Sequence, residues 1–132
     1  MFLTAAQLLR KMHWILLIEY HTVLRDALAS ELNRQPNMEV VAHTGSLAEG
    51  RLALALGGIN FGLVNPDLPD GDGLELVSEL RNAQPRSIPV LVLITNLEPN
   101  EHDLALKAGA NEALSTVVSF EEVFLTIRRI AD

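Results

Sequence analysis

The sequence predicts an α/β domain in which helices cover both faces of one open, parallel, five-stranded sheet. Two observations lead to this fold class. Short runs rich in Ile, Val and Leu alternate five times with longer segments of helical period along the 132 residues. The central runs are apolar at almost every position, which is typical of strands buried on both faces. Repeated strand–helix units form parallel sheets through right-handed crossovers, so we expect a doubly wound, three-layer α/β/α domain.

The predicted elements follow one another without a linker or a second domain. The five strands are expected at residues 13–19, 39–43, 61–65, 89–95 and 113–116. The five helices are expected at residues 23–34, 47–56, 73–83, 101–108 and 121–130. Residues 4–12 have the spacing of an extra helix, so we divide the chain into a helical N-terminal extension, 1–12, and an α/β domain, 13–132. The extension either packs on the domain or on a partner, or is disordered.

Polar residues at the predicted helix starts support these assignments. Ser46 and Ser119 are each followed three residues later by a glutamate, which is the spacing of a capping box. Asp72 and Asn100 stand where their side chains can cap the third and the fourth helix.

Composition excludes several classes of protein. Hydrophobic residues make up 48% of the chain and charged residues 20%, unlike a disordered chain or a coiled coil. The absence of cysteine excludes disulfides, thiolate metal sites and cysteine nucleophiles. A net charge of −7 disfavours direct binding to nucleic acid. No apolar run approaches the ~20 residues of a membrane span, and we expect a cytoplasmic protein.

Common catalytic motifs are absent from the sequence. It contains no glycine-rich dinucleotide loop, no phosphate-binding P-loop and no G-x-S-x-G nucleophile motif. The four histidines stand at positions 13, 21, 43 and 102, and none has the spacing of a zinc site. We therefore expect that the protein is not an enzyme.

The densest polar segment is NPDLPDGDG, residues 65–73, after the third predicted strand. Its three carboxylates suit a divalent cation, since hard cations take oxygen ligands. They also suit a strand-to-helix turn capped by Asp72, and the residues alone favour this structural role. Doubly wound folds bind ligands at the carboxyl ends of their strands, so this loop and residues 19–21, 95–96 and 116–118 are the places of interest.

Several segments, in this order and spacing, resemble a CheY-like response-regulator receiver domain. FGLVNPDLPDGDGLE, residues 61–75, is similar to the third strand and the following loop of that family. Further similar segments are ILLIEYH at 15–21, residues 38–41, IPVLVLIT at 88–95 and LKAGA at 106–110. The resemblance implies a flavodoxin-like strand order, 2-1-3-4-5. It is closest to receivers that precede a helix-turn-helix domain of a transcription regulator, through EYHTVLRDAL at 19–28.

The chemistry of the family differs from what this sequence supplies. Receivers accept a phosphoryl group from a histidine kinase on an aspartate, using an acidic pair for Mg²⁺, a hydroxyl and a lysine. The resemblance places Asn65 at the acceptor position and Glu19 and Tyr20 at the positions of the acidic pair. It places Ile94 at the hydroxyl position and Thr116 at the lysine position. A carboxamide cannot act as the carboxylate nucleophile. The resemblance is therefore to a degenerate pseudo-receiver that acts through protein–protein interaction.

The hydroxyl position depends on the alignment. Counting back from Gly109 selects Ile94, and a shift of one residue would select Thr95 instead. Such a shift would supply neither an aspartate at residue 65 nor a lysine at residue 116.

Two alternatives remain open for the cleft at this site. A small-ligand sensor would use Tyr20, His21, Asn65 and Thr116, unless Tyr20 and Ile94 plug the cleft. Less favoured is phosphorylation of Asp67, because the corresponding family position offers its backbone carbonyl to the metal. No cofactor is expected, and Mg²⁺ is expected to bind weakly or not at all. The residues that could contact a ligand or a weakly held metal are Glu19, His21, Asn65 and Asp67.

The expected partner is a protein, either a different one or a second copy of this chain in a homodimer. Receivers often dimerise through the fourth helix, the fifth strand and the fifth helix. The candidate residues on this face are Glu101, Lys107, Glu121, Phe124 and Arg128. Mixed charge with one aromatic suits a symmetric contact, although Phe124 could equally point into the core. The chain is either a stand-alone receiver or part of a regulator with a DNA-binding output domain.

Overall fold

The structure, a computed structural model, describes residues 11–96 and 98–132. The main strands are β1 (His13–Ile18), β2 (Met38–Thr44), β3 (Phe61–Val64), β6 (Val90–Ile94) and β7 (Glu112–Ser115). They form one parallel sheet in the order β2-β1-β3-β6-β7. Two short strands, β4 (Asp67–Leu68) and β5 (Gly71–Asp72), form a separate antiparallel hairpin. With the hairpin set aside, the order is 2-1-3-4-5, and the predicted fold class is confirmed.

Five helices lie in the described residues. They are α1 (Thr22–Asn33), α2 (Leu47–Leu56), α3 (Leu74–Arg81), α4 (Glu101–Lys107) and α5 (Phe120–Ala131). No helix in this part of the chain has the length and apolar character needed to cross a membrane.

The strand side chains alternate between two buried clusters. Ile15 and Leu17 of β1 belong to the cluster that contains α1 and α5. Leu16 and Ile18 belong to the cluster that contains α2, α3 and α4. All four side chains are fully buried, and each contributes about 1.5–3 kcal/mol by leaving water. A strand that is apolar on both faces is stable only as the middle layer of three, which is why the run at 15–18 predicted this fold.

The predicted element ends differ from the observed ends by one or two residues. The third helix was expected at 73–83 but occupies Leu74–Arg81. It ends early because the carbonyl of Leu80 accepts the N–H groups of Ala83 and Ile88 as the chain turns back toward the sheet. The helix expected at 4–12 falls largely outside the described residues, and residues 11 and 12 are not helical.

Two of the four predicted helix caps are confirmed. The hydroxyls of Ser46 and Ser119 accept the backbone N–H three residues later, each at 3.2 Å. The N-cap of α3 is Gly73 rather than Asp72, whose Oδ1 nevertheless accepts the N–H of the first helical residue, Leu74, at 2.9 Å. The prediction for Asn100 is wrong, because its side chain makes no cap hydrogen bond. Its backbone is in the helical region, φ −98° and ψ 0°, whereas a capping side chain needs an extended residue.

The β4–β5 hairpin was not predicted, and it ties the loop after β3 to helix α2. Asp70, in the hairpin turn, accepts the backbone N–H of Leu47 at 2.7 Å and of Ala48 at 3.0 Å. A carboxylate is favourable at a helix N-terminus, where N–H groups lack partners within the helix. The bonds from Ala48 and Leu47 hold the pKa of Asp70 below its usual value.

Replacing Asp70 should loosen this connection. We expect Asp70→Ala to lower the Tm by about 4 °C, the usual size of a lost helix cap in a domain of this length. Because the folded pKa is depressed, the stabilisation is present above about pH 3.9 and is lost as the pH falls through the folded pKa. Thermal unfolding at pH 7 and at pH 3 measures both effects. The exposed Asp26→Ala is the control, and an equal loss in the two variants would contradict the assignment.

His13 is a buried ionisable residue at the start of β1. Its Nε2 lies 3.1 Å from Oδ1 of Asp132, the residue that follows α5. Burial lowers the pKa of His13, and the neighbouring cations Lys11 and Arg128 lower it further, while Asp132 acts in the opposite direction. The neutral imidazole is therefore favoured in the folded protein.

This lowered pKa predicts a loss of stability in mild acid. The unfolded chain takes up the His13 proton near pH 6.5, before the folded chain does. The stability that the neutral side chain contributes is therefore present above about pH 6.5 and declines as the pH falls through the folded pKa. Urea unfolding across this range should show a steeper pH slope for the wild type than for His13→Gln. His102→Gln, at an exposed site, should keep the wild-type slope; an unchanged slope in His13→Gln would refute the prediction.

Candidate functional site

Three polar residues meet where the central strands end. Glu19 follows β1, Asn65 follows β3 and Thr95 follows β6, and these strands are neighbours in the sheet. The carboxyl ends of parallel strands lie at one edge, so residues far apart in sequence come together there. Glu19 and Asn65 are buried, while Thr95 lies at the surface.

The Asn65 carboxamide uses all its hydrogen-bonding groups within the protein. Its Nδ2 donates to Glu19 Oε1 at 2.9 Å and to Thr95 Oγ1 at 2.6 Å. Its Oδ1 accepts the backbone N–H of Asp67 at 3.2 Å. Both N–H donors and the carbonyl oxygen of this side chain therefore have partners. We call this arrangement of Glu19, Asn65 and Thr95 the amide bridge.

The Glu19 carboxylate is enclosed by hydrogen-bond donors. Its Oε1 accepts from Asn65, and its Oε2 accepts the backbone N–H of His21 at 2.9 Å and lies 3.1 Å from His21 Nδ1. Its backbone carbonyl accepts from Arg25 Nη1 at 2.8 Å. A buried carboxylate requires such partners, because leaving it unpaired away from water is costly. Arg25 was not among the predicted site residues, although it lies one helical turn after His21 and its charge could have indicated it.

The two candidates for the hydroxyl position lie in different surroundings. Ile94 is 7% exposed and belongs to the apolar cluster beneath α2–α4. Thr95 is the residue whose hydroxyl accepts from Asn65. The correspondence of either residue to the family's hydroxyl position stays a prediction.

The open cleft beside the amide bridge has a volume of about 660 Å³. Tyr20 and His21 lie on one side, and the hairpin loop and α4 supply the rest, including Asp67, Asp72 and Glu101. Tyr20 is 52% exposed, so it does not plug the cleft as one expectation held. Ile94 does not line the cleft either.

The expected convergence of four polar residues on this cleft is found only in part. Tyr20 and His21 line it, whereas Asn65 is buried below it and Thr116 is not among its lining residues. Thr116 follows β7 and its backbone N–H donates to the carbonyl of Ile94. A ligand in the cleft would therefore contact two of the four residues.

The loop that carries Asp67 is held close to the sheet by a glycine. The N–H of Gly73 donates to the carbonyl of Pro66 at 2.9 Å. A Cβ at residue 73 would lie 2.7 Å from the Cα of Pro66, closer than real side chains approach backbone. Any other residue here would push the loop away. Asp67 itself is exposed, and no three His, Asp or Glu side chains of the described residues gather as metal ligands.

The predicted interaction residues do not share one face. Phe124 is 3% exposed and packs in the core with α1, as its alternative placement held. Arg128 Nη2 lies 3.3 Å from Gln35 Oε1, at the end of α1, and Glu101 lines the cleft. Lys107 and Glu121 are on the surface.

Other residues are exposed on α4, β7 and α5. Leu106 of α4 is 40% exposed and Leu125 of α5 is 53% exposed. Between these helices, Arg129 of α5 forms an ion pair with Glu112 of β7, which raises the pKa of the guanidinium. We call Leu106, Glu112, Leu125 and Arg129 the α4–β7–α5 patch. Helical spacing favours a buried Phe124, because it lies three residues before the apolar Ile127 and four after Phe120, whereas Leu125 lies about 100° further around the helix.

The sequence is similar to those of known proteins. Two curated relatives are the transcriptional regulatory protein UhpA of Salmonella typhimurium, 32% identical over 117 residues, and the KDP operon transcriptional regulatory protein KdpE of Escherichia coli, 31% identical over 114 residues. The alignments cover 89% and 86% of this chain but 58% and 49% of those proteins. The chain thus spans about half the length of these relatives.

Solved structures show the same fold. A LuxR-family DNA-binding response regulator from Staphylococcus aureus superposes with a TM-score of 0.84 at 20% identity, covering 92% of this chain and 100% of that chain. The receiver domain of the response regulator NarL from Mycobacterium tuberculosis superposes with a TM-score of 0.83 at 18% identity, covering 92% and 98%. Residues 15–128 match the sequence family described as the response regulator receiver domain. The chain therefore belongs to the family of response regulator receiver domains.

Proposed function

We propose that this receiver domain signals without phosphorylation of residue 65 and acts through contacts with protein partners. The amide bridge is the observation that carries the proposal. An acyl phosphate forms on a carboxylate, and a neutral carboxamide is not such a nucleophile. In addition, both Asn65 donors are already bonded, to Glu19 and Thr95, so the side chain has no free group to offer a ligand.

The hydrogen bond of Thr95 supports a domain whose conformation does not depend on phosphorylation. In the family that this chain resembles, a hydroxyl at this place contacts the phosphoryl group. Here the Thr95 hydroxyl accepts from the unmodified Asn65 side chain at 2.6 Å. The contact that phosphorylation would create is replaced by one that is always available. We infer that the segment after β6 is held in one arrangement whether or not a kinase is active.

The residues present do not suit the Mg²⁺ that the family implies. Mg²⁺ prefers carboxylate oxygens in a near-octahedral set, together with waters. Glu19 is buried and both of its oxygens are engaged by Asn65 and His21. Residue 65 contributes an amide, and residue 20 a phenol. Binding Mg²⁺ at Glu19 would require these hydrogen bonds to break, so we infer that the domain works without this metal.

The amide bridge predicts the behaviour of Asn65→Asp. Substitution places a second carboxylate against the buried Glu19 and removes two donors, so the free energy of unfolding should fall by about 2–4 kcal/mol at pH 7. Mg²⁺ should restore part of this loss, because the variant again has an acidic pair for a cation. Urea unfolding with and without Mg²⁺ measures both effects. The wild type should be insensitive to Mg²⁺, and Asn100→Asp, at an exposed residue whose side chain makes no cap hydrogen bond, is the control for added charge.

Intact-mass measurement after incubation with acetyl phosphate and Mg²⁺ tests the proposal directly. The wild type should gain no phosphoryl group, and its amide NMR spectrum should not change on adding beryllofluoride. A phosphorylated wild type would overturn the proposal. Loss of that adduct in Asp67→Asn would then assign the acceptor to Asp67, the less favoured alternative.

The α4–β7–α5 patch is the surface we propose for the protein contact. Leu106 and Leu125 present apolar side chains, and the Arg129–Glu112 pair lies between their helices. Apolar residues beside paired charges suit a symmetric contact between two copies, because each charge can find its opposite on the partner. The relatives UhpA and KdpE are transcriptional regulatory proteins, and we infer that the output of this domain likewise acts on transcription.

Sedimentation velocity tests self-association through this patch. The wild type should form a dimer with rising concentration, and Leu125→Glu should weaken it at least tenfold, because it places a charge in an apolar contact. Leu52→Glu is the matched control, since Leu52 is 64% exposed on α2, outside the patch. A monomeric wild type at all concentrations, or equal effects of both variants, would contradict the proposed surface.

A further inference from the structure

A second cavity lies at the opposite end of the sheet from the amide bridge. Its volume is about 470 Å³, within the range of small-molecule sites. It is lined by Trp14 near the start of β1, by Asn60 and Pro89 just before β3 and β6, and by Leu54 and Ile88. Trp14 is 41% exposed although it belongs to a central strand.

The ends of two helices leave this space open. Helix α2 stops at Leu56, and Gly57 and Gly58 follow with φ of 77° and 78°. A Cβ built on either glycine would meet nothing within 4 Å, so no side chain closes the cavity there. Helix α3 stops at Arg81, and residues 83–89 form the other wall. Trp14 therefore lines a cavity that lies between the two helix ends.

The charge of the cavity differs from that of the whole protein. Among the residues that the structure describes, Lys11 and Arg86 are the two charged residues in its lining, and neither Asp nor Glu lines it, although the chain carries a net charge of −7. The carboxyl ends of α2 and α3 each carry a partial negative charge of about half a unit, which repels an anion. The two positive charges of Lys11 and Arg86 exceed these partial charges by about one unit. The cavity thus combines an apolar interior with a net positive lining.

We propose that this cavity binds a small amphipathic carboxylate. The apolar part of the ligand would pack on Trp14, Leu54 and Ile88, and the carboxylate would interact with Lys11 and Arg86. This combination distinguishes the ligand from a neutral apolar molecule, which gains nothing from the cations, and from an amine, which they repel. The proposal is independent of the proposed function, because none of these residues belongs to the amide bridge or to the α4–β7–α5 patch.

Octanoate, below its micelle concentration, is the probe for the full chain. Trp14 is the single tryptophan, so its fluorescence reports binding in this cavity directly. Amide NMR shifts should be confined to residues 11–14, 57–60 and 83–89, and octylammonium should bind at least tenfold more weakly than octanoate. Absence of binding, shifts scattered over the surface, or equal binding of octylammonium would each overturn the proposal.

Two charge-reversal variants separate a specific site from general electrostatics. Arg86→Glu should raise the Kd of octanoate about tenfold, because it replaces an attraction at the cavity by a repulsion. Arg34→Glu changes the net charge by the same amount at an exposed position outside the cavity lining, and it should leave the Kd within about twofold. Both residues are at the surface, so both variants should fold. Equal weakening by the two variants would refute a site at Arg86.

Discussion

The arrangement of the functional edge depends on one neutral side chain placed against one buried carboxylate. Asn65 donates to Glu19 and to Thr95, and it thereby joins the ends of β1, β3 and β6. Glu19 is fully buried, so its charge is tolerated only while donors surround it. Those donors come from Asn65 and from His21, and His21 also lines the cleft. The position of the cleft therefore follows from how the protein satisfies this carboxylate.

The hydrogen bond between Asn65 and Glu19 also explains why the residues that replace the family's site residues are compatible with one another. An aspartate at residue 65 would repel Glu19 and would need a cation, whereas an amide neutralises the contact by hydrogen bonding. Once no cation is needed, a second acidic residue beside Glu19 has no role, and Tyr20 is free to face solvent at 52% exposure. In the function we propose, no phosphoryl group has to be held, so Thr116 likewise need not supply a charge. All of these substitutions are therefore consistent with a site that works without phosphorylation and without a metal.

The sequence predicted the features that depend on repeated patterns, and it failed where single contacts decide. Five apolar runs alternating with helices sufficed for the parallel three-layer fold, because strands that are apolar on both faces must be covered on both sides. The strand order was predicted only through the family resemblance. The hairpin around Asp70 was missed because its two strands are two residues long and are held by bonds to α2, distant in sequence. The fold class predicted that residues 19–21, 65–73 and 95–96 lie at the same edge of the sheet. It could not predict the hydrogen bonds from Asn65 to Glu19 and to Thr95, because these depend on how individual side chains turn at the strand ends.

The two ends of the sheet have opposite electrostatic characters, and the fold accounts for the contrast. At the carboxyl edge, Asp67, Asp72 and Glu101 line the open cleft, and the described residues bring no lysine or arginine into its lining. At the amino edge, Lys11 and Arg86 line the cavity, and none of its lining residues in the described part of the chain is a carboxylate. Each set has the sign opposite to the partial charge of the nearest helix ends, since helices in this fold begin at the carboxyl edge and end at the amino edge. The three carboxylates of the cleft exceed the partial charge of about half a unit that each helix start supplies. In the function we propose, no metal or lysine reduces this excess; the Asn65 amide donates to the most buried carboxylate, Glu19, and the surface of the cleft stays acidic.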